Sequence, residues 1–278
     1  MKTLLYINFI FIFICGSLHK AMTQDSVNNN HLHTEIYTLK PAIDLPIIAV
    51  AGGWSYYALS KIYKKDSSSV EDILSLNKKN INGFDRWAAD VYHPDAEALS
   101  DKLFFAAMPM PLVLLFDKEI RKDALKIAVL YTEALSITGT LYTSSTYLNR
   151  YRPSTYNEGL TVEQKRSGNQ RNSFFAGHVA LVATSTFFTA KIYSDYHPRS
   201  GFRWVLYGIA AGATGATGYL RHRAGKHFPT DIILGSAIGT LSGILVPQVH
   251  KIKRHPNKHV QIFPYTGESH GIAMIYKF

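Results

Sequence analysis

The stretch Gly218-Tyr219-Leu220-Arg221-His222-Arg223-Ala224-Gly225-Lys226-His227-Phe228-Pro229-Thr230-Asp231 gathers cations, a histidine and a carboxylate around a proline. Pro229 suits the first position of a helix, where a missing N–H costs nothing. The apolar run from Ile232 to Ile238 reads as that helix, with Asp231 in its first turn, where negative charge suits the dipole. His227 precedes Asp231 by four residues. A carboxylate on one imidazole nitrogen would fix the tautomer and leave the other nitrogen free to attack. Arg221 and Arg223 offer forked donors for an anion beside that ring. The chemistry this predicts is a nucleophilic histidine facing a phosphate; the stretch alone also allows a cationic loop that merely caps a helix.

Two more stretches bear on that choice: Asn149-Arg150-Tyr151-Arg152-Pro153, and Ser173-Phe174-Phe175-Ala176-Gly177-His178 ahead of another apolar run. With them the chain resembles the type 2 phosphatidic acid phosphatase (PAP2) superfamily, a bacterial member of it, whose site is related to that of vanadium haloperoxidases. The family carries Lys, six residues, Arg-Pro; then Pro-Ser-Gly-His; then Ser-Arg, five residues, His, three residues, Asp. Arg152-Pro153, Gly177-His178 and Arg221, His227 and Asp231 match in order and spacing. The departures are Ser145 where the family has Lys, Phe175 and Ala176 for Pro and Ser, and Leu220 for Ser. An ammonium and two hydroxyl donors are therefore missing from the pattern.

The resemblance implies a phosphatase that hydrolyses a phosphomonoester, a lipid phosphate or lipid pyrophosphate, through a phosphohistidine intermediate. His227 would be the nucleophile, Asp231 its orienting carboxylate and His178 the acid and then the base. Arg152 and Arg221 would bind the phosphate, helped by Gly177 and the backbone N–H of Ala176. No metal and no cofactor are implied. Arg150, Lys165, Arg166, Arg171, Arg223 or Lys226 could replace the charge lost at Ser145. The alternatives are a soluble periplasmic acid phosphatase, a vanadium haloperoxidase and a non-catalytic phospholipid-binding relative.

The elements that must position these residues are helices. Of the 278 residues, 46% are hydrophobic and 18% charged, leaner than the roughly 25% charge of soluble domains. The net charge of +10 points to an anionic partner. Nucleic acid is disfavoured, because the basic residues bracket apolar helices instead of forming one stripe. The only cysteine, Cys15, lies in the leader, so no disulfide, thiolate nucleophile or Cys/His metal pattern is available.

Met1-Lys2, the apolar Leu4 to Ile14 and the small residues at 21–23 read as a signal peptide over 1–23. Residues 24–40, with His31 and His33, read as a flexible polar lead-in, 41–255 as the helical phosphatase domain and 256–278 as a tail, with a short strand from Gly271 to Phe278. Apolar stretches predict helices from Pro41 to Ser60, Ala124 to Leu148, Phe174 to Ala190 (capped by Ser173) and Phe202 to Leu220. Leu103 to Phe116, broken by Pro109 and Pro111, is short for a crossing. Glu133, alone in a long apolar helix, must face protein or water. Asp85-Arg86 and His93-Pro94-Asp95 could contribute to the pocket, but read by default as surface ion pairs and a turn. The glycines at 208, 212, 215, 218, 235, 239 and 243 read as helix-packing sites.

The fold class expected is all-α: a membrane-associated bundle of about six core helices, with the active site at helix ends on one side. The location expected is the bacterial cell envelope, either a membrane protein whose site faces the periplasm or a periplasmic bundle. A basic tail on the far side from the site favours the first, whereas counting spans from a cleaved signal gives the opposite sidedness unless 103–116 does not cross or the helices form a soluble bundle. The partners expected are a phosphorylated lipid or small phosphomonoester and a membrane. The oligomeric state is left open.

Overall fold

The computed structural model describes residues 35–252, 260–266 and 270–276. The expected signal peptide, with Cys15, and the lead-in as far as residue 34, with His31 and His33, lie outside the described residues.

Six helices of fourteen residues or more build the described bundle: α1 (Pro41–Ile62), α2 (Pro94–Ala107), α3 (Ala124–Ser145), α4 (Gly177–Tyr196), α5 (Phe202–Arg223) and α6 (Pro229–His250). Proline opens α1, α2 and α6 at the first turn, where no intrahelical N–H is needed. The all-α expectation describes this body. Two strands, β1 (Val260–Thr266) and β2 (His270–Tyr276), pair as an antiparallel hairpin in the tail, where the sequence suggested only one.

The helices alternate in direction. The chain leaving α1 meets the end of α3 through Lys65 and the Thr146 carbonyl, and His93, just before α2, donates its N–H to Arg223 at the end of α5 (2.9 Å). Ala176, at the start of α4, donates to the carbonyl of Asp231 at the start of α6 (3.1 Å). The three sequence motifs therefore share one end of the bundle. At the other end Tyr196 donates to Asp123, His197 meets Asp117, and Tyr37 bridges Lys251. The last part of the expected flexible lead-in is thus fixed. Tyr37 is fully buried and donates to Asp195 (2.7 Å), and Thr38 donates to the His250 carbonyl, so an aromatic ring and two backbone bonds hold it.

Small residues bring α4 and α6 together. A Cβ on Gly235, Gly239 or Gly243 would stand 2.7, 2.1 and 2.6 Å from the carbonyls of Ala176, Ala180 and Thr184, closer than atoms can approach. Gly218 likewise meets Ile232. The expectation fails for Gly208, Gly212 and Gly215, whose missing side chains would enter open space, because that face of α5 has no neighbour among the described residues. The main apolar cluster, with Leu130, Phe188, Ile192 and Val246, sits towards the end opposite the motifs.

Among the described residues four stretches are long and apolar enough to cross a membrane: Pro41–Ile62, Pro94–Phe116, Ala124–Leu148 and Pro229–His250. The segment expected to be too short gains that length because α2 starts nine residues earlier and runs into a 3-10 turn, Met110–Phe116.

Candidate active site

The first motif is tied to the second by backbone. Arg150 and Asn172 form a parallel bridge, Arg152 donates to the Gln170 carbonyl (2.8 Å), and Ser173 donates to the Arg150 carbonyl (3.0 Å). The third motif joins them when Ser154 donates to the Gly225 carbonyl (3.0 Å). Gly225 has φ +67°, and a Cβ there would lie 2.1 Å from the Val91 carbonyl oxygen. Both its conformation and the close approach of that loop require glycine.

These ties bring Arg152, Arg221, His178 and His227 within electrostatic reach of one another. Both arginines and His227 are buried. His227 Nδ1 lies 2.6 Å from the Ser173 carbonyl oxygen, which can only accept, so Nδ1 carries the proton and Nε2 keeps its lone pair. Burial pushes the His227 imidazole well below the ordinary histidine range, and repulsion from Arg221 and Arg152 adds to this. The nucleophile candidate is therefore neutral. His178 opens α4 beside Phe104, with Nε2 3.3 Å from Asp101 of α2. Its imidazole is also pushed down, by removal from water and by Arg221, while Asp101 pulls the other way.

Arg221 donates to Ser100 and Asp101, both at 3.3 Å, and Arg152 donates to Asn169 (3.1 Å). The Nε–H of each guanidinium is buried without a hydrogen-bond partner among the described residues. Burial, reinforced by Arg221, pushes Arg152 down to about 10. Two cations held close together in a buried place, each with a spare donor, are arranged for an anion with several oxygens.

The carboxylate expected on His227 has a different partner. Asp231 is buried and accepts from Ser173 Oγ (2.6 Å), the Phe228 N–H (2.9 Å) and Arg150 Nη1 (2.5 Å). Its influence on His227 passes through Ser173, whose hydroxyl holds Asp231 while its carbonyl holds the imidazole. Ser173 is therefore not the helix cap expected; α4 begins only at Gly177, after a turn at 174–176 that puts Ser173 opposite the third motif. Arg150 is not a free cation either, since it also binds Asp85 (2.6 Å) and Thr230 (3.0 Å). Asp85, read as part of a surface pair, is fully buried and accepts from the Thr230 N–H at the start of α6.

The departures from the family pattern have definite surroundings. Ser145 Oγ accepts from the Phe175 N–H (3.1 Å) and lies 3.0 Å from the Phe174 carbonyl, so it braces the turn before His178. The Ala176 N–H, expected to face the phosphate, is already used by the Asp231 carbonyl. Gly177 lies against Tyr142, whose ring would stand 2.6 Å from a Cβ. Among the substitute cations, Arg166 and Arg171 bind the carbonyls of Ser68 and Asp66. Lys226 pairs with Glu97 (2.7 Å), yet burial and then Arg152 push its ammonium down, so it stands close to the arginine pair. Lys226 and Arg152 both line an open cavity of about 290 Å³, together with Gln164 and Asn169.

The motif order and this clustering are those of one family. The PAP2 superfamily model matches residues 125–254, which hold all three motifs. The chain carries a PAP2 superfamily domain. The PAP2 match reaches from α3 to just beyond α6. The lipid A 4'-phosphatase of Porphyromonas gingivalis is 29% identical over 149 residues, 51% of this chain and 59% of that protein, so the chain spans about three fifths of that relative's length. Among solved structures, LpxE of Aquifex aeolicus aligns over 59% of this chain and 92% of its own (23% identity, TM-score 0.41). The transmembrane PAP2-type phosphatidylglycerolphosphate phosphatase of Bacillus subtilis aligns over 90% and 96% (16% identity, TM-score 0.40). The PAP2 match and the helices among the described residues that are long and apolar enough to cross a membrane together support a membrane protein.

Proposed function

We propose that this chain hydrolyses a lipid phosphomonoester through a phosphohistidine at His227. The observation that carries the reading is the neutral, buried His227 beside two buried guanidiniums that each keep an unpartnered Nε–H. In the first step His227 Nε2 attacks phosphorus while the bond to the lipid oxygen breaks, and His178 gives that oxygen a proton. In the second, His178 takes a proton from water, the water oxygen attacks phosphorus, and the P–N bond breaks to release phosphate. Arg152 and Arg221 hold the non-bridging oxygens in both steps, with Lys226 as the third cation. Asp231 and Ser173 are positioning residues that fix the ring and its tautomer.

A lipid substrate is favoured over a soluble one by the helices long and apolar enough to cross a membrane. The phosphatase names of the relatives support the same class. The basic tail sets the sidedness in this reading: the site would face the periplasm of a bacterial envelope, away from the end where Tyr37 bridges Lys251, and residues 1–23 would then not export the lead-in. The test is phosphate release by purified protein from phosphatidate, phosphatidylglycerophosphate, a lipid A phosphate, a polyprenyl pyrophosphate and p-nitrophenyl phosphate. Faster release from lipids is expected. Tight binding of these lipids without any release would instead make the chain a phospholipid-binding relative.

A further inference from the structure

A second constellation lies at the other end of the bundle. Asp44 of α1, Glu133 of α3 and His250 of α6 are 2%, 4% and 8% exposed. One donor atom from each falls within 4.8 Å of the others. His250 Nε2 is 3.1 Å from Asp44 Oδ1 and 3.7 Å from Glu133 Oε2. Ligands around a tetrahedral ion with bonds of about 2.0–2.1 Å stand roughly 3.3–3.4 Å apart, a value these two separations bracket.

Protein–protein pairing leaves the cluster incomplete. Glu133 Oε2 is buried and has no hydrogen-bond partner among the described residues, although it points at the imidazole. Even with an imidazolium, two carboxylates leave a net negative charge buried among three helices, which is costly unless a cation offsets it. The surrounding bonds suit a ligand set. His250 Nδ1 lies 2.8 Å from the Val246 carbonyl, which orients Nε2 inward, and Asp44 Oδ2 accepts from the Lys40 N–H (2.6 Å), leaving Oδ1 for the centre. Outer contacts of these kinds accompany metal-binding histidines and carboxylates.

We propose that Asp44, Glu133 and His250 bind one first-row divalent cation, for which Zn²⁺ is the probe, and so clamp α1, α3 and α6 together. One imidazole and two carboxylates suit such an ion, with a fourth position left for water. The site is about 28 Å along α6 from Asp231, so the ion takes no part in phosphate chemistry. The inference does not rest on the phosphatase reading. No spacing in the sequence could reveal it, since the three residues come from helices far apart in the chain.

The test uses the full-length protein, purified in detergent without a histidine tag and stripped of metal. Equilibrium dialysis against Zn²⁺ should give one equivalent per chain. Co²⁺ in its place should give the intense visible bands of tetrahedral coordination. Glu133→Gln and Asp44→Asn, which keep shape and remove charge, should each weaken Zn²⁺ binding by about 10–100-fold. They should also abolish the rise in Tm that Zn²⁺ gives the wild-type protein. Three results would each overturn the proposal: no stoichiometric binding, a weak octahedral Co²⁺ spectrum, or binding that survives both variants and disappears when His31 and His33 are replaced. The Co²⁺ measurement needs no variant, so the proposal stays testable if a substitution prevents folding.

Discussion

At the scale of single residues, the proposed mechanism gives the two imidazoles different tasks. His227 must be neutral to attack, so its rate is lost as pH falls through its pKa. His178 must be protonated to serve the leaving oxygen, so rate is lost as pH rises through its own. Both lie below the ordinary value of 6.5, His227 by much the more, so kcat/KM should be bell-shaped with its optimum on the acid side of 6.5. An optimum above neutrality would require different proton-transfer roles. Ala176 and Ser145 test the missing donors. A lost donor in a preorganised site typically costs about 10²–10³-fold in rate, but Lys226 already stands beside Arg152. Ala176→Ser should therefore raise turnover by less than about ten-fold, since added and existing donors compete for the same oxygens. Ser145→Lys should lower turnover, because it takes the acceptor from the Phe175 N–H. A hundred-fold gain from either variant would mark the native protein as an impaired phosphatase. That His178, His227, Arg152 and Arg221 come together was legible in the sequence, because their types and order match the family motifs. The roles of Ser173, Asp85 and Asp101 were not: each acts through a contact with a distant segment, and Ser173 holds His227 through a backbone carbonyl that any residue possesses.

Among the elements, the start of α6 carries the greatest strain of requirements. It must present Asp231 to Arg150 and Ser173 while packing without side chains against α4. Arg150 is held between Asp231 and Asp85 and lies over the Phe228 ring at 4.6 Å. Asp231→Asn would leave that half-buried guanidinium with Asp85 as its carboxylate partner, at a cost below the roughly 3 kcal/mol of breaking a fully buried pair. The variant should lose thermal stability together with activity; a stable but slow Asp231→Asn would mean the carboxylate acts on His227 directly. Gly239→Ala forces a methyl onto the Ala180 carbonyl and should destabilise by about 1–3 kcal/mol, whereas Gly212→Ala meets nothing among the described residues and should raise Tm slightly through helix propensity. Periodicity located α1, α3 and α5 to within a few residues, since apolar runs are local signals, but it placed the start of α2 nine residues late and the end of α4 six residues early, where polar residues sit inside a helix. It could not tell which glycines had a partner helix, because Gly212 and Gly239 look alike until the neighbours are placed.

For the whole molecule, the alternating helices put the candidate active site and the Asp44–Glu133–His250 cluster at opposite ends. With Cys15 replaced by alanine, Glu158→Cys near the site should react with a membrane-impermeant thiol reagent added to intact cells. Lys122→Cys, beyond the start of α3, should not. The reverse pattern would turn the site inward. EDTA should lower Tm through the distant cluster yet leave the initial rate of phosphate release at moderate temperature unchanged. A rate that falls at once and returns with Zn²⁺ would move the metal into the reaction.

The claim that most depends on the geometry is the covalent step, and rapid quenching of purified protein with a labelled substrate tests it most directly. The account predicts an acid-labile, alkali-stable phosphate on His227, formed and lost at rates compatible with turnover and absent from His227→Ala, which releases no phosphate. Label on another residue, or phosphate release by His227→Ala at the wild-type rate, would contradict it.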